Sequence, residues 1–449
     1  MSRSFFARLV AVLVAVLVVA VVAANPVHAE TPMPIGGTKL ALVGGTVHTV
    51  SGATIENGSV IVDNGRIVAV GAALSAPADA QVIDCKGKHL YPGFVAANTQ
   101  LGLVEVGTIV GSNDTQETGN VNPNLRAEVM INFDSDLIAV ARDNGVTTAQ
   151  VVPGGGAVHG SSALVHLGGW TNEDAVVRAP LALHVTWPNM VPARGWFVTQ
   201  TDEEQNKARD TAIDAIRTAF DDARAYWKAR DAEKSPGVPR HDADVKWAAM
   251  GKALRGEIPV YFEAETVAQI RSALKFADDQ GLKRLILGGG NDAWRLADEL
   301  KARDVAVVVG GTQALPRRRS DSYDDAFMLP GRLAAAGVRF CIATGDGPSN
   351  VRNLPHHAGI AVAFGLDPVE ALKSVTLYPA QILGVADQVG TLEVGKWADI
   401  QVTDGDPLLQ STRCLQVIMA GRVLPMDDRQ IRLFKKYDSR PRGEMARKR

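Results

Sequence analysis

The 449-residue sequence has few cysteines and no excess of charge of either sign. Its three cysteines, Cys85, Cys341 and Cys414, lie far apart in the chain. Such a sparse, odd-numbered set excludes a disulfide framework, and no Cys-x-x-Cys pair indicates a zinc site. A formal net charge of −2 argues against the basic footprint that is typical of nucleic-acid-binding proteins. We therefore expect no nucleic-acid partner.

Several catalytic signatures are also missing. The chain has no Gly-x-Ser-x-Gly elbow, and its cysteines lack the flanking motif of a nucleophile. The glycine-rich residues 153–162 lack the lysine of a phosphate-binding loop. The composition is otherwise that of a globular protein with a full core, because 46% of residues are hydrophobic and 21% are charged. The length suits two or three domains, or one α/β barrel with an accessory layer.

The N-terminus has the pattern of an export signal. Arg3 and Arg8 precede an apolar run over residues 9–24, and Val27-His28-Ala29 has the small-x-small pattern of a cleavage site. We predict a signal peptide over residues 1–29, which makes the protein exported, either periplasmic or secreted. The alternative is a retained membrane anchor, since the apolar run is only slightly shorter than a span. A membrane partner is expected only if this segment is uncleaved.

Short strands are predicted near both ends of the mature chain. Residues 38–90 contain alternating or continuous apolar runs, with hairpin signals at Asn57-Gly58 and Asn64-Gly65. Residues 388–426 contain further strands, and residues 427–449 form a basic segment that we interpret as a solvated tail.

Strands and helices alternate between these ends, over residues 91–387, as a parallel α/β barrel requires. One stretch, residues 202–245, is charged and helical over a length that a barrel helix does not need. We interpret it as an insertion that packs on the outside of the barrel or over its mouth.

Two motifs resemble the amidohydrolase superfamily. The run Tyr91-Pro92-Gly93-Phe94-Val95-Ala96-Ala97-Asn98-Thr99-Gln100 is similar to its first barrel strand, which usually ends in His-x-His, and residues 390–400 are similar to its closing segment. The likeness is to imidazolonepropionase-like and related members. It implies a TIM-like (β/α)8 barrel plus a small β-sandwich formed by the N- and C-terminal segments. It also implies hydrolysis of carbon–nitrogen bonds, other than peptide bonds, in small molecules.

The resemblance implies a zinc-type metal centre that acidifies a water molecule, but the ligand positions have changed. The two first-strand histidine positions hold Asn98 and Gln100, and the later ones hold Glu263 and Gly289. Carboxamides are poor zinc ligands, and glycine has no side-chain ligand. The family's last position, which accepts a proton from the metal-bound water, is kept as Asp346. We therefore expect no ordinary zinc site.

Histidines in two other places are candidate pocket residues. His159, with Ser161, lies in the glycine-rich segment and could act in proton transfer, although a tight loop needs the same glycines. His356 and His357 follow Asp346, but adjacent helical residues point about 100° apart and rarely share one metal. Polar contacts at a helix start are the expected role of this pair.

Two hypotheses about function stay open. In the first, the chain is a divergent hydrolase in which Asp346, Glu263 and Glu265 position water or a hard cation such as Mg²⁺ or Ca²⁺, which prefer oxygen ligands. In the second, the chain is a non-catalytic pseudoenzyme that binds a polar small molecule or a partner protein through its mouth loops.

Overall fold

The computed structural model describes residues 39–345 and 347–440. The predicted signal peptide, Asp346 and the last nine residues of the basic segment therefore lie outside the described residues. Within the described ranges, none of the helices has both the length and the apolar character needed to cross a membrane.

The described residues contain eighteen strands. In chain order they are β1 (Leu40–Val47), β2 (Ile55–Asp63), β3 (Arg66–Ala72), β4 (Gln81–Asp84), β5 (His89–Pro92), β6 (Phe94–Thr99), β7 (Val146–Val151), β8 (Val158–Ser161), β9 (Ala163–His166), β10 (Val176–Arg178), β11 (Leu183–Thr186), β12 (Val260–Ala264), β13 (Leu285–Gly289), β14 (Ala306–Val309), β15 (Phe340–Ile342), β16 (Ile400–Thr403), β17 (Cys414–Met419) and β18 (Arg422–Val423).

The same residues contain eleven α-helices and some short 3-10 turns. The α-helices are α1 (Asp136–Asp143), α2 (Asn172–Ala175), α3 (Asp202–Ala232), α4 (Val245–Leu254), α5 (Val267–Asp279), α6 (Ala297–Ala302), α7 (Asp325–Ala335), α8 (Leu354–Ala363), α9 (Pro368–Lys373), α10 (Leu377–Ile382) and α11 (Arg429–Asp438).

The two ends of the described chain meet in one sheet. Its strand order is β18-β17-β16-β5-β1-β2-β3, with β4 beside β1, and β5 pairs antiparallel with β16. The strands for which the resemblance implied a sandwich thus belong to one eight-stranded sheet. Asn64 and Gly65 form the β2–β3 turn with φ of 49° and 76°, as a primed hairpin turn requires. The turn predicted at Asn57-Gly58 was wrong, because both residues lie inside β2.

The central strands form two mixed sheets. Strands β11 to β15 run parallel with β8 antiparallel at one edge, whereas β6 and β7 are parallel with β9 and β10 antiparallel beyond them. The described strands therefore do not close into one hydrogen-bonded ring, contrary to the simple barrel prediction. Two local features mark the places where the ring of strands is interrupted. At Ser162 the chain passes from β8, which belongs to the sheet of β11 to β15, to β9, which belongs to the sheet of β6 and β7. On the other side, the carbonyl groups of Ser374 and Val375 accept N–H groups from β15 and β6.

The predicted helix in the insertion is present as α3. It begins with a capping box in which the Thr201 and Glu204 side chains bond each other's backbone N–H groups. Its buried face includes Ile216 and Phe220, and the Phe220 ring lies 5.3 Å from the Phe276 ring of α5. The insertion thus packs against the outer helices through an apolar stripe, while its charged side is solvated.

Residues 429–438 of the predicted basic tail form helix α11, and all of them except Ile431 are exposed. The Asp428 side chain caps this helix by accepting a hydrogen bond from the Ile431 N–H at 2.8 Å. The Asp428 N–H in turn donates to the Asp143 carboxylate of α1, so the start of α11 is tied to the body.

Replacing Gly93 with Ala should lower the free energy of unfolding by about 1–3 kcal/mol, the usual cost of overpacking a core. A Cβ at this position would overlap the Thr147 side chain, which is buried on β7. Urea unfolding measures the loss. Gly107→Ala is the matched control, since a Cβ there meets no atom within 4 Å, and equal stabilities of the two variants would contradict the packing argument.

Candidate functional site

The candidate site is built on β12, because alternate residues of a strand face the same side. Tyr261 and Glu263 lie on one face of this strand, and Glu265 follows just beyond its end. Glu263 lies opposite Thr186 of the parallel strand β11, so the ends of both strands meet at one edge. The Thr186 hydroxyl donates to Glu263 Oε2 at 2.9 Å.

His159 completes a hydrogen-bonded set with Thr186 and Glu263, which we call the proton-sharing set. His159 Nδ1 lies 2.7 Å from the Pro153 carbonyl oxygen, and Nε2 lies 3.0 Å from Thr186 Oγ1. A carbonyl only accepts, so Nδ1 carries hydrogen. The single hydroxyl hydrogen of Thr186 goes to Glu263, which leaves none for Nε2.

With only the Nδ1 hydrogen of His159 and the hydroxyl hydrogen of Thr186, two of the three contacts can be hydrogen bonds at one time. The third contact becomes a hydrogen bond when the set carries one more proton. That proton is either on His159 Nε2, beside an ionised Glu263, or on the Glu263 carboxyl group, with a neutral His159. The set can therefore hold a proton at two alternative atoms. Ser161, which the sequence suggested as a partner of His159, instead donates its hydroxyl to the Leu125 carbonyl.

Glu265 lies beside this set and lines a pocket together with residues of the segments that follow β13 and β14. Burial raises the pKa of Glu265 above its ordinary value, whereas the Arg317 guanidinium and the Asn291 N–H oppose that shift. Arg317 Nη2 lies 2.9 Å from Glu265 Oε1. A Cβ on Gly289 would lie 2.6 Å from the Glu265 carboxyl carbon, and Gly289 has a φ of +81°. Glycine at this position therefore provides the space for Glu265.

A second polar group lies deeper, among residues that the sequence did not single out. His184 Nε2 lies 2.8 Å from Ser162 Oγ, and Gln150 Nε2 donates to the same hydroxyl at 3.1 Å. The His184 ring stacks on Tyr261 with centroids 4.5 Å apart. Burial holds the pKa of His184 well below its ordinary range and that of Tyr261 well above, so both are neutral.

Two buried atoms of this deeper group, His184 Nδ1 and the Tyr261 hydroxyl, have no hydrogen-bond partner among the described residues. A buried polar atom without a partner is costly, so these atoms favour a polar molecule that reaches the floor of the site. Polar residues inside otherwise apolar strands were the sequence signal for this group.

The remaining sequence-predicted residues are distributed around the site. The half-buried Asn98 has a φ of 50° and donates its backbone N–H to Gln150 Oε1. Gln100 faces Gly154, where an added Cβ would lie 2.9 Å from its Nε2. Asp346 lies outside the described residues, so its predicted role stays a prediction.

The two adjacent histidines differ in environment. His357 is buried on α8, and its Nδ1 accepts the Thr312 N–H at 3.1 Å. His356 is half-buried, and burial lowers its pKa. The expected helix-start role fits His357 in part, because it binds the loop that follows β14 rather than its own helix.

The donor groups do not fit the zinc centre that the resemblance implies. Asn98 and Gln100 offer amide groups, and the space at Gly289 is filled by Glu265. Glu263 and Glu265 are each bonded to other side chains. No group of three histidine, cysteine or acidic residues suited to a metal occurs in residues 39–345 and 347–440. Zinc prefers imidazole, thiolate or carboxylate ligands, at least three from the protein, so we derive no step through a metal.

Replacing Arg317 with Ala should destabilise the fold by about 1 kcal/mol at neutral pH, the lower end of the cost of unpairing a partly buried acceptor. Without the guanidinium, the pKa of Glu265 rises further. The loss should be present when Glu265 is ionised and should shrink as the pH falls through its raised pKa. Thermal unfolding between pH 4 and pH 8 measures this, with Arg319→Ala, an exposed neighbour, as control. A loss independent of pH would contradict the assignment.

Comparison with known proteins agrees with the two sequence motifs. The amidohydrolase family profile matches residues 287–426. The chain is 26% identical over 395 residues to amidohydrolase tasK of Hapsidospora irregularis, which covers 81% of this chain but only 39% of tasK. It is 25% identical over 383 residues to the imidazolonepropionase of Bradyrhizobium diazoefficiens, covering 78% and 88% of the two chains.

The structure is also similar to the crystal structure of an amidohydrolase from Thermotoga maritima MSB8. The TM-score is 0.76 at 25% sequence identity, and the match covers 86% of this chain and 99% of that one. Sequence motifs, family profile and fold thus agree, and the chain belongs to the amidohydrolase superfamily.

Proposed function

We propose that this chain is a hydrolase of carbon–nitrogen bonds, other than peptide bonds, in small polar molecules, and that its acid–base chemistry comes from the proton-sharing set. Its relatives include proteins named amidohydrolase and imidazolonepropionase. The observation that carries the proposal is the chain of contacts from His159 Nε2 through the Thr186 hydroxyl to Glu263 Oε2, at 3.0 and 2.9 Å.

In the proposed reaction, ionised Glu263 accepts a proton from a water molecule as that water attacks the carbon of the C–N bond. Glu263 then returns the proton to the departing nitrogen, so that the proton balance closes. His159 acts through Thr186 as a positioning residue, because its Nε2 lies 3.0 Å from the hydroxyl that bonds Glu263. A carboxylate within hydrogen-bond reach of the reacting water is the geometry that general base catalysis requires.

We further infer that the two central sheets form the walls of a (β/α)8-type barrel. The carbonyl groups of Ser374 and Val375, which accept N–H groups from both sheets, support this arrangement. The N- and C-terminal sheet is the accessory β-layer of that architecture. The protein is exported, on the pattern of residues 1–29.

The second candidate function is binding without catalysis. It is favoured by the replacement of the family's histidine positions by Asn98, Gln100 and Gly289, and by the Arg317–Glu265 ion pair in the wall of the adjoining pocket. In this case the unpartnered atoms His184 Nδ1 and Tyr261 Oη bind a polar ligand that is not converted.

Replacing Glu263 with Gln should lower kcat by about 10²–10⁴-fold, the usual contribution of a general base, while the fold is retained. Turnover is measured on a panel of cyclic amides, N-acylated amino acids and dipeptides, with zinc analysis of the same full-length protein. Thr186→Val should lower kcat with little effect on KM, because it removes only the positioning bond. Glu257→Gln, a carboxylate just before β12, is the matched control and should keep full activity.

The outcomes separate the candidates. Absence of turnover across the panel, together with saturable binding of one of its members, would leave the non-catalytic function. Stoichiometric zinc that is needed for turnover would contradict the metal-free mechanism, as would an unchanged kcat in Glu263→Gln.

A further inference from the structure

Helix α11 exposes a cluster of large apolar side chains. Leu433, Phe434 and Tyr437 are 39%, 70% and 62% exposed. At 3.6 residues per turn these three lie within about 100° of the helix circumference. Exposed apolar side chains that are grouped on one face often mark an interaction surface, whereas single scattered ones are normal.

Basic residues border this apolar face. Lys436 lies on one side of it by the same helical spacing, and Arg440 follows two residues after the last residue of the helix, Asp438. No carboxylate in residues 39–345 and 347–440 forms an ion pair with either. The sequence from 429 to 449 has nine lysine and arginine residues against two acidic ones, although the whole chain has a net charge of −2. Positive charge is therefore concentrated at this end of the chain.

Arginines hold α11 to the body of the protein. Arg429 and Arg432 pair with Asp136 of α1, whereas Lys435 pairs locally with Asp427. By the helical spacing, Arg432 and Lys435 lie opposite the apolar face, and Arg429 lies at its border within about 20° of Lys436. These contacts hold α11 in place while Leu433, Phe434 and Tyr437 stay exposed, and we call this exposed apolar face the presented side.

We propose that the presented side of α11 binds the surface of an anionic phospholipid bilayer. A basic amphipathic helix with aromatic and aliphatic residues on its apolar face lies in the plane of a membrane interface. Lysine and arginine beside that face are attracted by anionic headgroups, and Phe434, Tyr437 and Leu433 would enter the boundary below them. This contact is independent of the proposed hydrolysis and of the apolar run over residues 9–24.

The test is co-sedimentation of the full chain with vesicles of mixed phosphatidylglycerol and phosphatidylcholine, compared with pure phosphatidylcholine. Binding should be at least about tenfold stronger on the anionic vesicles and should weaken with salt. The double variant Lys436→Glu/Arg440→Glu should lose this preference, and Phe434→Ser/Tyr437→Ser should bind more weakly. Lys207→Glu/Lys283→Glu, with both lysines exposed elsewhere, is the charge-matched control and should bind normally.

A second measurement does not depend on a disruptive variant. In Phe434→Trp, the difference emission of the variant and the parent chain should shift to shorter wavelength with anionic vesicles only. Binding that is equal on both vesicle types, or unchanged by the α11 variants, would overturn the proposal and assign membrane binding to residues 9–24. Concentration-dependent self-association that Phe434→Ser/Tyr437→Ser abolishes, without vesicle binding, would overturn it in favour of a second copy of the chain.

Discussion

The candidate site depends on the close contact between β12 and β13. Gly288 and Gly289 of β13 lie opposite Glu263 and Ala264, and a side chain on either glycine would overlap Tyr261 or crowd the carboxylate of Glu265. Because these two residues of β13 have no Cβ, the side chains of Tyr261 and Glu265 can occupy this space. The residues that replace a histidine position thus change the shape of the site as well as its ligands.

The polar groups around this contact lie in two layers. Glu263, Thr186 and His159 form the outer layer, where each side chain is bonded to the next. His184 and Tyr261 form the inner layer, where burial keeps both neutral and leaves a polar atom of each without a partner. An outer set that can exchange a proton and an inner set that can bind a polar group are both needed by a catalyst, whereas a binding protein needs only the second.

Much of the fold could be predicted from the chain, because periodicity and turn chemistry are local. The alternation of strands and helices, the turn at Asn64-Gly65 and helix α3 follow from such patterns. The turn expected at Asn57-Gly58 failed because strand pairing outweighed its local preference. Helix α11 was missed because its charge suggested a tail, and its cap contact with Asp143 is between residues far apart in sequence.

The sequence by itself indicated the superfamily and the replacement of the family's histidines, since these are written in motifs of consecutive residues, and the resemblance implied that the two ends of the chain join. Glu263 and Glu265 could be named as candidates, but their different partners could not. Only the tertiary structure decided that Glu263 bonds Thr186, that Glu265 pairs with Arg317, and that His184 and Tyr261 stack in the interior. Those contacts join separate strands and loops, and the positions of Tyr261 and Glu265 also need the space that Gly288 and Gly289 leave, which no local pattern specifies.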